Sequence, residues 1–150
     1  MQQYRPILSL SISLLFFLAF SVDAWSQQSF PGQPGDKVRY TAYIEMPKAY
    51  ISGVCVLVND GNEVKGCLFN EFGISAIEFS YLLQKDKVKL HDVMPVMNKW
   101  YIKKVLKKDL RQLMHCLQQG VTQYKNERRR LSYTLTPITE NKEESQETTE

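Results

Sequence analysis

The strongest constraint on the fold of this chain is a change of period. Between Lys37 and Leu90 apolar residues recur at every second position, whereas between Asn98 and Gly120 they recur with the spacing of a helix. Val38, Tyr40, Ala42, Ile44 and Met46 alternate with Arg39, Thr41, Tyr43 and Glu45 until Pro47 ends the run. Further β-rich runs cover Ala49 to Val58 and Val64 to Phe69. Ile77, Phe79, Tyr81 and Leu83 mark one face of a fourth, Lys87 to Leu90 is a short fifth, and Leu131, Tyr133 and Leu135 precede Pro137 as a last. Half-buried strands of this kind pair antiparallel and need a cover for their apolar face. At 100° per residue, Ile102, Val105, Leu106, Leu110, Leu113, Cys116 and Leu117 share one side of a helix, opposite Lys104, Lys107, Lys108, Arg111 and His115, and Gly120 is placed as its stop. The expectation is an α+β fold, an antiparallel sheet covered by one or two amphipathic helices. Asp109 falls inside the apolar stripe. Asp109-Leu110-Arg111-Gln112 has the form of a capping box, which predicts the start of a second helix; a salt-bridged structural carboxylate and a functional one are the alternatives.

The two ends of the chain read differently from this body. Arg5 is followed by an apolar run from Ile7 to Phe20 and by Val22-Asp23-Ala24, the small-x-small pattern that a signal peptidase cuts. Residues 1–24 are therefore expected to be a cleaved secretory signal, giving a periplasmic or secreted protein. A retained anchor is the alternative, for which the run is short of the roughly 20 residues of a membrane span. Residues 25–36, with Phe30-Pro31-Gly32-Gln33-Pro34-Gly35, read as a flexible leader. Residues 37–137 form a single domain, and residues 138–150, rich in Glu and nearly free of apolar side chains, read as a disordered acidic tail.

Charge is split along the chain. Trp25 to Pro137 holds 17 basic and 10 acidic residues, so the body carries +7 although the whole chain carries +3. In an exported protein such a surface points to anionic lipid, the domain's own acidic tail or an acidic envelope partner rather than to nucleic acid. Lys103, Lys104, Lys107 and Lys108, with Arg128, Arg129 and Arg130, are the candidate docking residues. Trp100-Tyr101 beside Lys99, Lys103 and Lys104 has a composition that also suits a membrane interface.

Asn59-Asp60-Gly61-Asn62-Glu63 sits between two β-like runs and predicts a hairpin. Pairing that is symmetric about Gly61 places Val58 opposite Val64, Val56 opposite Gly66, Val54 opposite Leu68 and Cys55 opposite Cys67. Facing Cβ atoms in such a ladder lie roughly 4.5–5.5 Å apart, wider than the ~3.8 Å mean of a relaxed disulfide. A somewhat strained disulfide, two core thiols and a redox couple are all open readings of Cys55 and Cys67. Cys116 reads as a small core residue.

Catalytic signatures are absent from the sequence. His91 and His115 lack a second ligand at zinc spacing, and the 59–63 turn lacks the distal Glu of a calcium loop, so neither metal nor cofactor is expected. A hydrolase built on His91-Asp92 would need a Ser or Cys within reach of His91; the chain is expected not to be an enzyme.

Leu68-Phe69-Asn70-Glu71-Phe72-Gly73-Ile74-Ser75-Ala76-Ile77-Glu78-Phe79, followed by a short strand and an amphipathic helix, resembles the central part of bacterial outer-membrane lipoprotein carrier and receptor proteins. The resemblance covers about residues 51–117. It implies a strongly curved antiparallel sheet, an incomplete barrel, that holds acyl chains in an apolar concavity under a helical lid. The chain departs from that pattern in having fewer strands, no lipidated Cys, and Asn70-Glu71 where a Pro-containing turn is usual. The residues expected to line the concavity are Val54, Val56, Leu68, Ile77, Phe79, Tyr81, Leu106, Leu110 and Leu113, with lipid or lipoprotein acyl chains as the ligand. If sheet and helix instead pack tightly, the expectation is an envelope interaction subunit with a filled core that docks through its basic face.

Overall fold

The computed structural model describes residues 29–139. The expected signal, the first four residues of the leader and all but the start of the acidic tail lie outside them. Seven strands form one sheet: β1 (Lys37–Met46), β2 (Ala49–Asn59), β3 (Glu63–Asn70), β4 (Ser75–Leu82), β5 (Lys87–Val93), β6 (Gln123–Asn126) and β7 (Leu131–Pro137). Among the described residues one long helix, α1 (Trp100–Gln118), lies between β5 and β6 in the chain. The spatial order is β5-β4-β3-β2-β1-β7-β6, antiparallel throughout, and the sheet curls into a half-barrel. The α+β fold expected from the change of period is therefore present, with one helix as the cover.

The helix bridges the half-barrel by touching both edge strands, β5 and β6. Its buried face holds Leu106, Leu110, Leu113, Met114 and Leu117, against Tyr40, Ala42, Leu57, Leu68, Ile77, Phe79, Tyr133 and Leu135 of the sheet. Asp109 does not cap a second helix, because α1 runs through it unbroken. The helix ends where Gly120 predicts, with Gly120 at φ +79°. There the Gly120 N–H donates to Leu117 O and the Val121 N–H to Cys116 O, closing the last turn.

The β2–β3 hairpin departs from the symmetric register. Cys55 pairs with Leu68, Val56 with Cys67, Leu57 with Gly66 and Asn59 with Val64. This one-residue slip turns Val54, Val56 and Val58 to the outer face and Cys55, Leu57 and Asn59 inward. The cause is local. Asn59 is buried, donates from Nδ2 to Pro31 O at 2.9 Å and accepts the Gly61 N–H at 2.8 Å. Asp60 Oδ1 accepts the N–H groups of Asn62 and Glu63. Those bonds close a four-residue loop, not the symmetric one. Two glycines permit close approaches in the same region: a Cβ on Gly53 would meet the Phe69 carbonyl at 1.8 Å, and one on Gly66 would meet the Phe79 ring at 2.3 Å.

Residues 29–36 are not a free leader. Pro31 is fully buried and Phe30 packs on the core. The Tyr40 hydroxyl donates to Ser29 O, the Ser29 hydroxyl donates to Leu117 O at 3.0 Å, and the Gly35 N–H donates to Asn59 O at 2.8 Å. The segment thus runs from the β2–β3 turn to the C-terminus of α1 and closes that end of the half-barrel. Apolar Phe30 and Pro31 are what make this burial favourable.

Candidate functional site

Beneath the middle and C-terminal turns of the helix the space is filled. The void there, lined by Cys55, Leu68, Phe79, Leu110, Leu113 and Met114 among others, measures about 20 Å³, room for about one water molecule. Leu68, Phe79, Tyr81, Leu110 and Leu113 are therefore core residues. Val54 and Val56 do not face the concavity at all, because the register slip places them on the outer surface. Of the residues expected to line an apolar site, Ile77 and Leu106 reach a real recess, at the other end of the half-barrel.

That recess is a groove of about 530 Å³ at the end opposite the 29–36 closure. The paired ends of β1 and β2 contribute Ile44, Met46, Tyr50 and Ile51, and β4 contributes Ile77; the link from β5 to α1 contributes Met94, Val96 and Met97. The first two turns of the helix add Tyr101, Ile102, Val105 and Leu106, and Leu131 and Tyr133 of β7 complete the wall. Its charged lining residue is Arg129. The volume lies within the roughly 300–1,000 Å³ of small-molecule sites. Pro47 opens it by ending the first strand, and Pro95 does so by starting a one-turn 3₁₀ helix that lifts Val96 outward while burying Met97.

Behind the groove wall lies Asp109, fully buried. Asn126 Nδ2 donates to its Oδ1 at 2.8 Å and the Tyr133 hydroxyl to its Oδ2 at 3.0 Å. Burial holds its carboxyl above the ordinary carboxylate range, although these two donors and the nearby Arg129 and Lys108 charges oppose the shift. Burial, and the Asp109 carboxylate, push the Tyr133 phenol up as well. Asp109 is thus a structural carboxylate that locks Tyr133 in the wall.

The basic candidates divide into two groups. Lys104, Lys107 and Lys108 are exposed on the outer side of α1, with Lys103 half-buried; Arg128, Arg129 and Arg130 are exposed in the β6–β7 turn. Lys108 and Arg129 come together at Asp109, and Arg129 joins the groove.

Cys55 and Cys67 cannot bridge, since in the observed register they point to opposite faces of the sheet. Both are free thiols, as is Cys116. Burial pushes the Cys55 thiol up to about 12 and raises that of Cys67, which lies 3.6 Å from the Ser75 hydroxyl. Neither is a reactive thiolate. On the outer face a shallow cleft of about 590 Å³ contains Cys67, Glu78, Ser80 and His91. Ser80 Oγ does approach His91 Nε2, at 2.8 Å. The pair does not extend to a triad: the Asp92 carboxylate accepts the Val93 N–H, and Ser80 is 1 % exposed, leaving its oxygen no path to a substrate carbonyl. Among the described residues no three His, Cys, Asp or Glu side chains converge on a metal position, and no helix is long and apolar enough to cross a membrane.

The chain matches no protein-family model, no curated protein and no solved structure. The groove was missed by sequence reasoning because its walls come from four separate stretches. The legible signal was the cluster Met94, Val96, Met97 and Tyr101 around Pro95, too apolar for a loop that only connects.

Proposed function

We propose that this domain is an exported, non-catalytic binder of an apolar ligand of the acyl-chain class, held in the groove at the open end, between the sheet and the first turns of the helix, rather than beneath the rest of the helix. The observation that carries the reading is a recess of about 530 Å³ walled by apolar side chains, with Arg129 beside it to meet an anionic head. Apolar walls with few placed polar groups suit such ligands. The half-barrel and its helix are the architecture implied by the resemblance to lipoprotein carriers, and the acyl chains of lipoproteins belong to the proposed class. The filled interior changes where the chain would sit. Palmitate is a suitable probe: native mass spectrometry should show one equivalent bound to the folded domain. Val105→Trp, which fills the groove, should abolish the adduct, and Leu113→Ala, which enlarges the core, should retain it. An adduct indifferent to Val105→Trp would refute the assignment.

The filled core also favours a second reading, an envelope interaction subunit docking through its basic face. Charge reversal at Lys104, Lys107 and Lys108 with folding retained tests it, and unchanged capture of envelope partners would remove it.

A further inference from the structure

Antiparallel connections alternate between the two ends of a sheet. The β1–β2, β3–β4 and β6–β7 turns and the link from β5 to α1 therefore all fall at the open end, around the groove. Large exposed apolar side chains collect there: Phe72 (84 % exposed) and Ile74 (60 %) on the β3–β4 turn, Val96 (70 %) on the link, Trp100 (77 %) at the start of α1, and Tyr50 (61 %) at the start of β2. At the closed end, among the described residues, Val121 and Ile138 are the counterparts, each less than half exposed. Such residues are ordinarily scattered singly over a surface, and a concentration of them marks an interaction site. Cations stand between them: Lys48, Lys99 and Arg128 to Arg130 are all exposed at this end. These five cations outnumber the acids of this end, Glu45, Glu71 and Glu127, of which Glu127 is paired with Lys125 at 2.9 Å.

The β3–β4 turn that carries Phe72 and Ile74 has most of its N–H groups bonded. Asn70 Oδ1 accepts the N–H groups of Phe72 at 3.0 Å and Ile74 at 2.9 Å, the Gly73 N–H donates to Asn70 O, and the Asn70 N–H donates to Ile74 O. Bonding of this kind is ordinary in turns and also closes the 59–63 turn at the other end; here it lowers the cost of taking the tip out of water.

We infer that the open end docks on an anionic lipid bilayer, with Phe72, Ile74, Val96 and Trp100 entering the headgroup region and Lys48, Lys99 and Arg128 to Arg130 meeting lipid phosphates. Apolar tips carried on separate turns and interleaved with cations match an interface that is apolar below and anionic above. Apart from Val96 and Arg129, which also line the groove, the docking residues lie outside its walls, and docking would bring the groove mouth to a source of acyl chains.

The test is co-sedimentation of the mature chain with vesicles of phosphatidylcholine, with and without phosphatidylglycerol. Binding is expected to the anionic vesicles and to weaken with added salt. Arg128→Glu with Arg130→Glu should lower partitioning by about tenfold or more. Phe72→Ser with Ile74→Ser, both exposed positions outside the groove walls, should do the same with unchanged circular dichroism. In a Trp25→Phe background the emission of Trp100 should shift to the blue on binding. Val105→Trp should still sediment, so that failure of docking and failure of the groove reading are separate results. No binding to anionic vesicles, or equal binding by the Phe72/Ile74 variant, would overturn the inference. So would self-association through the same residues without vesicle binding, which would assign the face to a second copy of the chain.

Discussion

Gly66→Ala is the sharpest test of whether the space under the helix is a core or a pocket. The added methyl carbon would stand 2.3 Å from the Phe79 ring tip and 2.4 Å from the adjoining ring carbon. The ring would have to retreat by about 1 Å to reach the 3.4 Å at which ordinary contact begins. Phe79 is buried, with Leu110 and Leu113 beside it, and the void next to it holds about 20 Å³. A phenyl ring displaced into that space strains its neighbours, which places the cost in the range of about 1–3 kcal/mol for overpacking. Urea unfolding should show a lower midpoint with an unchanged slope. Phe79→Leu removes the ring tip and should relieve the clash, so the two substitutions should couple favourably by about 1 kcal/mol or more in a double-mutant cycle. If Gly66→Ala is tolerated, or the pair is additive, the ring has room to move and the interior is a ligand cavity after all.

Two further outcomes follow from buried groups. Asp109 has its folded pKa raised above its unfolded value, so its contribution to stability is fully present below the unfolded pKa and is lost as pH rises through the folded one. Asp109→Asn can keep both bonds, accepting from Asn126 and donating to the Tyr133 oxygen, and should gain on the wild type as pH rises from acid to neutral, whereas Asp109→Ala strands both partners and should cost about 1–3 kcal/mol; thermal melts across that range would refute this by showing a pH-independent difference. Native-state alkylation followed by mass spectrometry should label Cys67 well before buried Cys55 and find no bridge between them; a mass short by two thiol hydrogens before reduction would contradict the observed register.

Much of the fold was legible because burial writes period into sequence. Six strands and the helix follow from alternation and from the Ile102 to Leu117 stripe. β6 did not, since a four-residue edge strand reading Gln-Tyr-Lys-Asn turns only Tyr124 and Asn126 inward and carries no apolar repeat. The hairpin register was misread because the near-palindrome around Gly61 and the row of Val residues both favour symmetry, whereas the decision lies with one buried polar side chain, Asn59, and its bond to Pro31. Asp109 stood out as an anomaly, but its partners, Asn126 and Tyr133, are on strands that the helix meets only after folding. The groove was illegible for a related reason: a binary pattern tells which side chains avoid water, and does not tell whether the elements carrying them meet along their whole length.

The closure of one end by residues 29–36 gives the domain a direction. The apolar N-terminal run ends at Phe20, and Ser29 is fastened to Leu117 and Tyr40 at the closed end. Phe20 and Ser29 are nine Cα steps apart, at most about 32 Å when fully extended, and the ten residues of β1 make the same nine steps. A chain still held in a bilayer by that N-terminal run would be tethered at its closed end by a length comparable to the domain's own strands, leaving the groove end free to swing. Cutting the run would then change the domain's freedom of orientation as well as its location.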